Sequence, residues 1–142
     1  KRDGLTVARA VSVWALIDTE TRSLVKVNDF DLGLVTYDAL DIPLSRIVIP
    51  KSIETVGTYK VNYDDTDQNR HMNNTKYPDL YSDFLPLENK RIASMTISYF
   101  DEAPIGEVLT VQKCEYDDAY YLRTVRSDGK INSEAEIRLI EI

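Results

Sequence analysis

Apolar residues recur along this chain at two spacings, and the change of spacing divides it. The run Val7-Ala-Arg-Ala-Val-Ser-Val-Trp-Ala-Leu-Ile17 is rich in β-branched residues and predicts a long strand with much of both faces covered. It ends at the polar turn Asp18-Thr-Glu-Thr, after which Leu24-Val-Lys-Val27 is a short second apolar piece. Residues 28–53 carry scattered Asp and Gly, and Pro43 and Pro50 break any long element there, so this stretch reads as a linker with at most one helical turn. From residue 54 the pattern is regular. Glu54 to Tyr63 predicts a strand, with Val56, Tyr59 and Val61 as its apolar members, and Asp64 to Met72 a polar loop. A helix follows from about Thr75 to Leu85, because Tyr77, Leu80, Tyr81, Phe84 and Leu85 fall on one stripe. Asn73 or Asn74 suits its N-cap, Pro78 its first turn and Pro86 its end.

Four more strands are predicted, at Ile92–Phe100, Val108–Tyr116, Tyr120–Arg126 and Ile131–Ile142. Asp117-Asp118 marks a bend between two of them, and Ser127-Asp-Gly-Lys130 a hairpin turn. The last strand alternates, with Ile131, Ser133, Ala135, Ile137 and Leu139 on one face and Asn132, Glu134, Glu136 and Arg138 on the other. Strand, helix and four antiparallel strands make an α+β arrangement, one helix against one face of a curled sheet.

The composition, 43% hydrophobic and 29% charged over 142 residues, is that of a globular protein with a real core. No apolar run approaches the roughly 20 residues needed to cross a bilayer. The chain opens Lys1-Arg2-Asp3-Gly4, without an initiating Met or signal-peptide pattern, and reads as a piece of something longer. Its lone cysteine, Cys114, has no intrachain partner, which points to a reducing compartment. One Cys and one His cannot supply a structural zinc site. The net charge of −7 argues against a nucleic-acid partner, although a local basic patch could still meet an acidic protein.

Chemistry concentrates in Asp64 to Asn74, which holds three Asp, three Asn and the only His. The segment lies between a strand and a helix start, where backbone N–H groups favour developing negative charge. A carboxylate there could act as general base or nucleophile. Such loops also serve as plain turns and caps. A calcium loop fails on spacing, since the sixth position from Asp65 is Arg70, where glycine is required.

The segment Asp65-Thr-Asp67-Gln-Asn69-Arg-His71-Met-Asn73-Asn74-Thr-Lys-Tyr77 is similar to the D-x-D-x-N-x-H-x-N-N-x-K-Y signature of plant and bacterial acyl-acyl carrier protein thioesterases. Ile97-Ser-Tyr-Phe-Asp-Glu102 resembles that family's strand ending in a catalytic Glu, and Arg9-Ala-Val-Ser-Val-Trp14, with Thr21-Arg22, resembles its R-A-x-S-x-W…T-R block. The resemblance implies two hot-dog folds in one chain, each a long helix wrapped by a curled antiparallel sheet. Residues 1–30 would be terminal strands of a truncated first unit, 31–53 a linker and 54–142 a complete second unit. It implies Asp67, Asn69, His71 and Glu102 as the catalytic group, with Asn73 and Asn74 binding substrate. The implied reaction is hydrolysis of a fatty acyl chain from the phosphopantetheine thioester of acyl carrier protein, with no metal, nucleotide or other cofactor, in the cytoplasm or, in a plant, the plastid stroma. Neither covalent attack nor attack by water is singled out. Some family members carry Cys directly after the catalytic Glu; here Ala103 stands there, and Cys114 is expected to be a buried structural residue. Two alternatives stay open: an acyl-coenzyme A thioesterase of the same fold, and a non-catalytic acyl-binding or assembly module, homodimeric through its sheet edges.

Overall fold

The computed structural model describes residues 2–21, 23–26, 33, 40–43 and 46–142. It divides into two compact units, Lys1–Leu44 and Ser45–Ile142. In the first, β1 (Leu16–Ile17) pairs antiparallel with β2 (Leu24–Val25) across a turn whose N–H groups at Glu20 and Thr21 donate to the Asp18 carboxylate. The long strand expected over 7–17 is thus reduced to two residues. No described strand pairs with residues 7–15, and Val7, Val13 and Trp14 are two-thirds or more exposed. Unpaired backbone N–H and C=O groups gain nothing from an extended chain without a neighbour to bond. Much of the expected linker lies outside the described residues.

The second unit is a five-stranded antiparallel sheet of β3 (Glu54–Lys60), β4 (Lys90–Tyr99), β5 (Val108–Tyr116), β6 (Ala119–Val125) and β7 (Ile131–Glu141), in the order β3-β5-β6-β7-β4. Helix α1 (Tyr77–Ser82) contributes Tyr77, Leu80 and Tyr81 to a core shared with Leu109 and Val111 of β5, Leu122 of β6, and Ala135 and Ile137 of β7. This is the hot-dog architecture, with one amendment: its helix is short. A 3₁₀ turn at Asn74–Lys76 precedes it. At its other end Phe84 and Leu85 donate to Tyr81 and Ser82, three residues back, so the winding tightens before Pro86, whose ring disfavours helical backbone at Leu85. The winding therefore covers the predicted span, but only six residues of it are α-helical.

Two details shape the sheet. A Cβ at Gly57 would meet the Phe84 ring at 2.8 Å, so glycine lets β3 pass beneath the end of the helical segment. In β7 the alternation breaks. Thr124 faces Ser133 while Val125 faces Ile131, which leaves Asn132 as a surplus residue, a β-bulge. Ile131 and Ser133, expected on one face, are therefore out of phase. Asn132 is fully buried and its side chain accepts the Thr124 hydroxyl hydrogen bond at 2.8 Å.

On the sheet's other face Ile47, Ala119 and Tyr121 form a small cluster joined by Ile49 and Cys114. Cys114 is partly rather than fully buried there.

Candidate active site

The polar loop folds as a small hairpin. Thr66 pairs with Met72, the Asp67 N–H donates to the His71 carbonyl at 3.0 Å, and the Arg70 N–H donates to the Asp67 carbonyl at 3.0 Å. Such a three-residue loop needs left-handed backbone at its last position, and Arg70 supplies it at φ 63°. The Asp67 carboxylate stabilises the turn by accepting the Asn69 N–H at 2.8 Å. The loop's base is fixed by Asp65, which is 5% exposed. Its carboxylate accepts the Tyr59 hydroxyl and the Asn62 N–H, each at 2.8 Å, and its carbonyl accepts the Asn73 N–H at 2.8 Å. Burial, with that acidic acceptor, pushes the Tyr59 phenol far above its ordinary range, so Tyr59 stays a donor.

The hairpin is zipped onto the segment that follows β4. Met72 N–H donates to the Ala103 carbonyl at 2.8 Å, Ile105 N–H to the Arg70 carbonyl at 3.2 Å, and His71 lies opposite Pro104. This backbone pairing carries two distant sequence positions together: His71 Nε2 sits 3.3 Å from Glu102 Oε2, with the side chains 31% and 48% exposed. An imidazole and a carboxylate in contact, yet open to solvent, can pass a proton to or from a bound molecule. Ala103, buried at 1%, takes part only through its backbone.

Of the residues singled out by the sequence, His71 and Glu102 meet directly. Asp67 and Asn69 lie on the same hairpin, where Asp67 lines a depression of about 580 Å³ with Tyr63, Thr66, Gln68, Arg70 and Ile105. Asn73 caps the 3₁₀ turn, its side chain accepting the Thr75 N–H and hydroxyl at 2.9 and 2.8 Å. Asn74 offers its carbonyl to the Tyr99 hydroxyl at 3.0 Å. The amide side chains of Asn69 and Asn74 make no hydrogen bond among the described residues, which leaves their N–H groups available to a ligand. Tyr59, Tyr99, Asp101 and Asn132 also shape the site. Nothing in their spacing marks them, because each would serve equally as a strand or turn residue. Among the described residues no cluster of three or more His, Cys, Asp or Glu could hold a metal ion, and no helix is long and apolar enough to cross a membrane.

Comparison with solved structures supports the architecture. An acyl-ACP thioesterase from Bacteroides thetaiotaomicron superposes with a TM-score of 0.74 at 21% identity, over 87% of this chain and 53% of that one. A Staphylococcus aureus protein solved in complex with CoA gives 0.53 at 25% identity, over 60% and 73%. The DHNA-CoA thioesterase of Staphylococcus aureus gives 0.51 at 14% identity, over 63% and 74%. The chain thus spans about half the length of the Bacteroides enzyme. No curated protein matches it in sequence. Residues 50–141, which hold the hairpin, α1 and the whole five-stranded sheet, match the model of the acyl-ACP thioesterase C-terminal domain, and the chain belongs to that family.

Proposed function

We propose that this chain is part of a thioesterase that releases a fatty acid from acyl carrier protein. The observation that carries the reading is the 3.3 Å contact between His71 and Glu102, made by the hairpin that also bears Asp67 and Asn69. In the proposed reaction water attacks the thioester carbonyl carbon and gives its proton to the Glu102–His71 pair. The C–S bond then breaks and the departing phosphopantetheine sulfur takes a proton, leaving free acid and carrier thiol. The Asn69 amide donates to the carbonyl oxygen as negative charge develops on it. Asp67 holds the hairpin turn and with it the position of Asn69. Asn73 and Asn74 form the substrate-binding edge, Asn73 by fixing the turn and Asn74 by its side-chain amide. A carboxylate paired with an imidazole suits taking a proton from water better than formation of an anhydride. Single turnover in H₂¹⁸O tests this: label confined to the fatty acid supports attack by water, whereas label in Asp67 or Glu102 would overturn it.

Residues 1–30 are read as closing strands of a preceding hot-dog unit, 31–53 as a linker and 54–142 as the second unit. The acyl-carrier substrate rests on the family match. The CoA-bound Staphylococcus structure favours a second reading, an acyl-coenzyme A thioesterase. Hydrolysis rates on the same acyl group carried by the two thiols decide between them, and a clear preference for the coenzyme A ester sinks the first reading. A third reading, a non-catalytic module pairing through the edge strands β3 and β4, draws on the chain spanning half the Bacteroides enzyme. It expects no turnover and a dimer on gel filtration.

A further inference from the structure

Glu102 follows the end of β4, where a free turn would let it swing away from His71. The residue before it is held at four places. Asp101 Oδ1 accepts the Glu102 N–H at 2.9 Å. Its Oδ2 is gripped by Arg126 at 3.2 Å and Lys130 at 3.3 Å, one on each side of the β6–β7 turn. Its carbonyl accepts Asn132 Nδ2 at 2.6 Å, and its N–H shares the Asn132 carbonyl with that of Phe100. Asn132 can reach because the bulge turns it inward. There it ends a buried chain of hydrogen bonds running from Tyr81 through Ser133, at 2.6 Å, to Thr124, at 2.7 Å, and on to Asn132 at 2.8 Å. The anchor is thus the helix and sheet themselves, tied together by buried hydrogen bonds that hold Asn132 in place.

We propose that Asp101, clasped by Asn132, Arg126 and Lys130, is the positioning residue that presents Glu102 to His71. The proposal rests on the reading of that pair as the proton-transfer group. Its logic is that of a supporting shell: a side chain is held in productive geometry by partners that do no chemistry. Burial raises the Asp101 carboxyl, but the Lys130 ammonium, the Glu102 N–H and Arg126 outweigh it and hold the group below its ordinary value.

His71 is the only histidine, so ¹⁵N-histidine labelling of the 142-residue chain yields one imidazole to watch. Glu102→Gln calibrates the change in its ¹⁵N signals when the carboxylate is lost. Asp101→Ala is expected to move them in the same direction by most of that displacement. Asp101→Asn, which keeps an oxygen for the Glu102 N–H but loses the ionic grip, is expected to move them less. Should Asp101→Ala lose its dispersed spectrum, the Asn variant is read in its place. Breaking the exposed Lys90–Glu141 pair with Glu141→Gln should leave the signals unmoved. If Glu102→Gln moves the imidazole and the Asp101 variants do not, the positioning role is wrong. If Glu102→Gln itself has no effect, the His71–Glu102 contact fails and takes both readings with it.

Discussion

Single residues set the tolerances of this fold. Gly57→Ala should cost about 1–3 kcal/mol, because its Cβ must displace the Phe84 ring from a contact that would otherwise be 2.8 Å. Combining it with Phe84→Leu should recover part of the loss, a coupling that urea unfolding of the two single variants and the double variant would measure. At the proposed site, Asp67→Asn keeps a turn-forming oxygen and tests charge alone. As a turn-former Asp67 should tolerate this change with most thioester hydrolysis retained; loss of most turnover would show that its charge takes part in the chemistry. Residue identity made part of this legible. Asp65, Asp67, Asn69 and His71 stand out because they gather in one polar loop between apolar elements, although such loops also serve as turns and caps, as Asp65 and Asp67 do here. Asp101 did not, since one more acid beside Glu102 looks like solvated surface until the β6–β7 turn brings Arg126 and Lys130 to it.

At the scale of elements, the β5–β6 hairpin is tighter than a bend. Asp117 and Asp118 both adopt left-handed backbone, at φ 50° and 57°, between paired Tyr116 and Ala119. Two such positions make a primed turn, which Asn-Gly fills best. Asp118→Gly should therefore raise stability by about 0.5–1 kcal/mol, seen as a higher denaturant midpoint at unchanged slope. Arg70→Gly relieves the same backbone cost in the hairpin of the proposed site, and the gain should be similar. The last strand was readable because its alternation reflects a face packed on the core, and Ala135, Ile137 and Leu139, found there, are those expected. Two things were not readable. A bulge leaves no mark on alternation until pairing partners are known, and the 7–17 run is strand-like in composition, yet its described residues find a partner only at Leu16 and Ile17.

For the whole molecule, acid is the exposed flank. Asp101 is held below its ordinary 3.8, and Glu107, which accepts the Ser127 N–H and lies beside Arg126, below its ordinary 4.5. Both titrate lower folded than unfolded. Their contribution is complete above about pH 4.5 and drains away as pH falls through the folded values. Urea midpoints taken from pH 6 to 3 should fall along that course, and Asp101→Asn should lie lower at pH 6 and flatten the drop. The pattern of elements carried the architecture because a single helix beside a run of antiparallel strands has few compact solutions. The proposed substrate is a matter of what reaches the proposed His71–Glu102 site, which no periodicity encodes.

The surplus residue in β7 has a consequence for how this sequence can drift. Losing one codon inside a strand ordinarily inverts every side chain beyond it and sends a buried row into water. At position 132 it would not. Val125 already faces Ile131 and Thr124 already faces Ser133, so removing Asn132 restores a regular ladder with both flanks in phase. A lineage could lose this residue and keep its strand register, surrendering the tether on the loop beside it and the buried hydrogen bond from Thr124. Length variation at this place would then follow the proposed positioning role rather than the strand register.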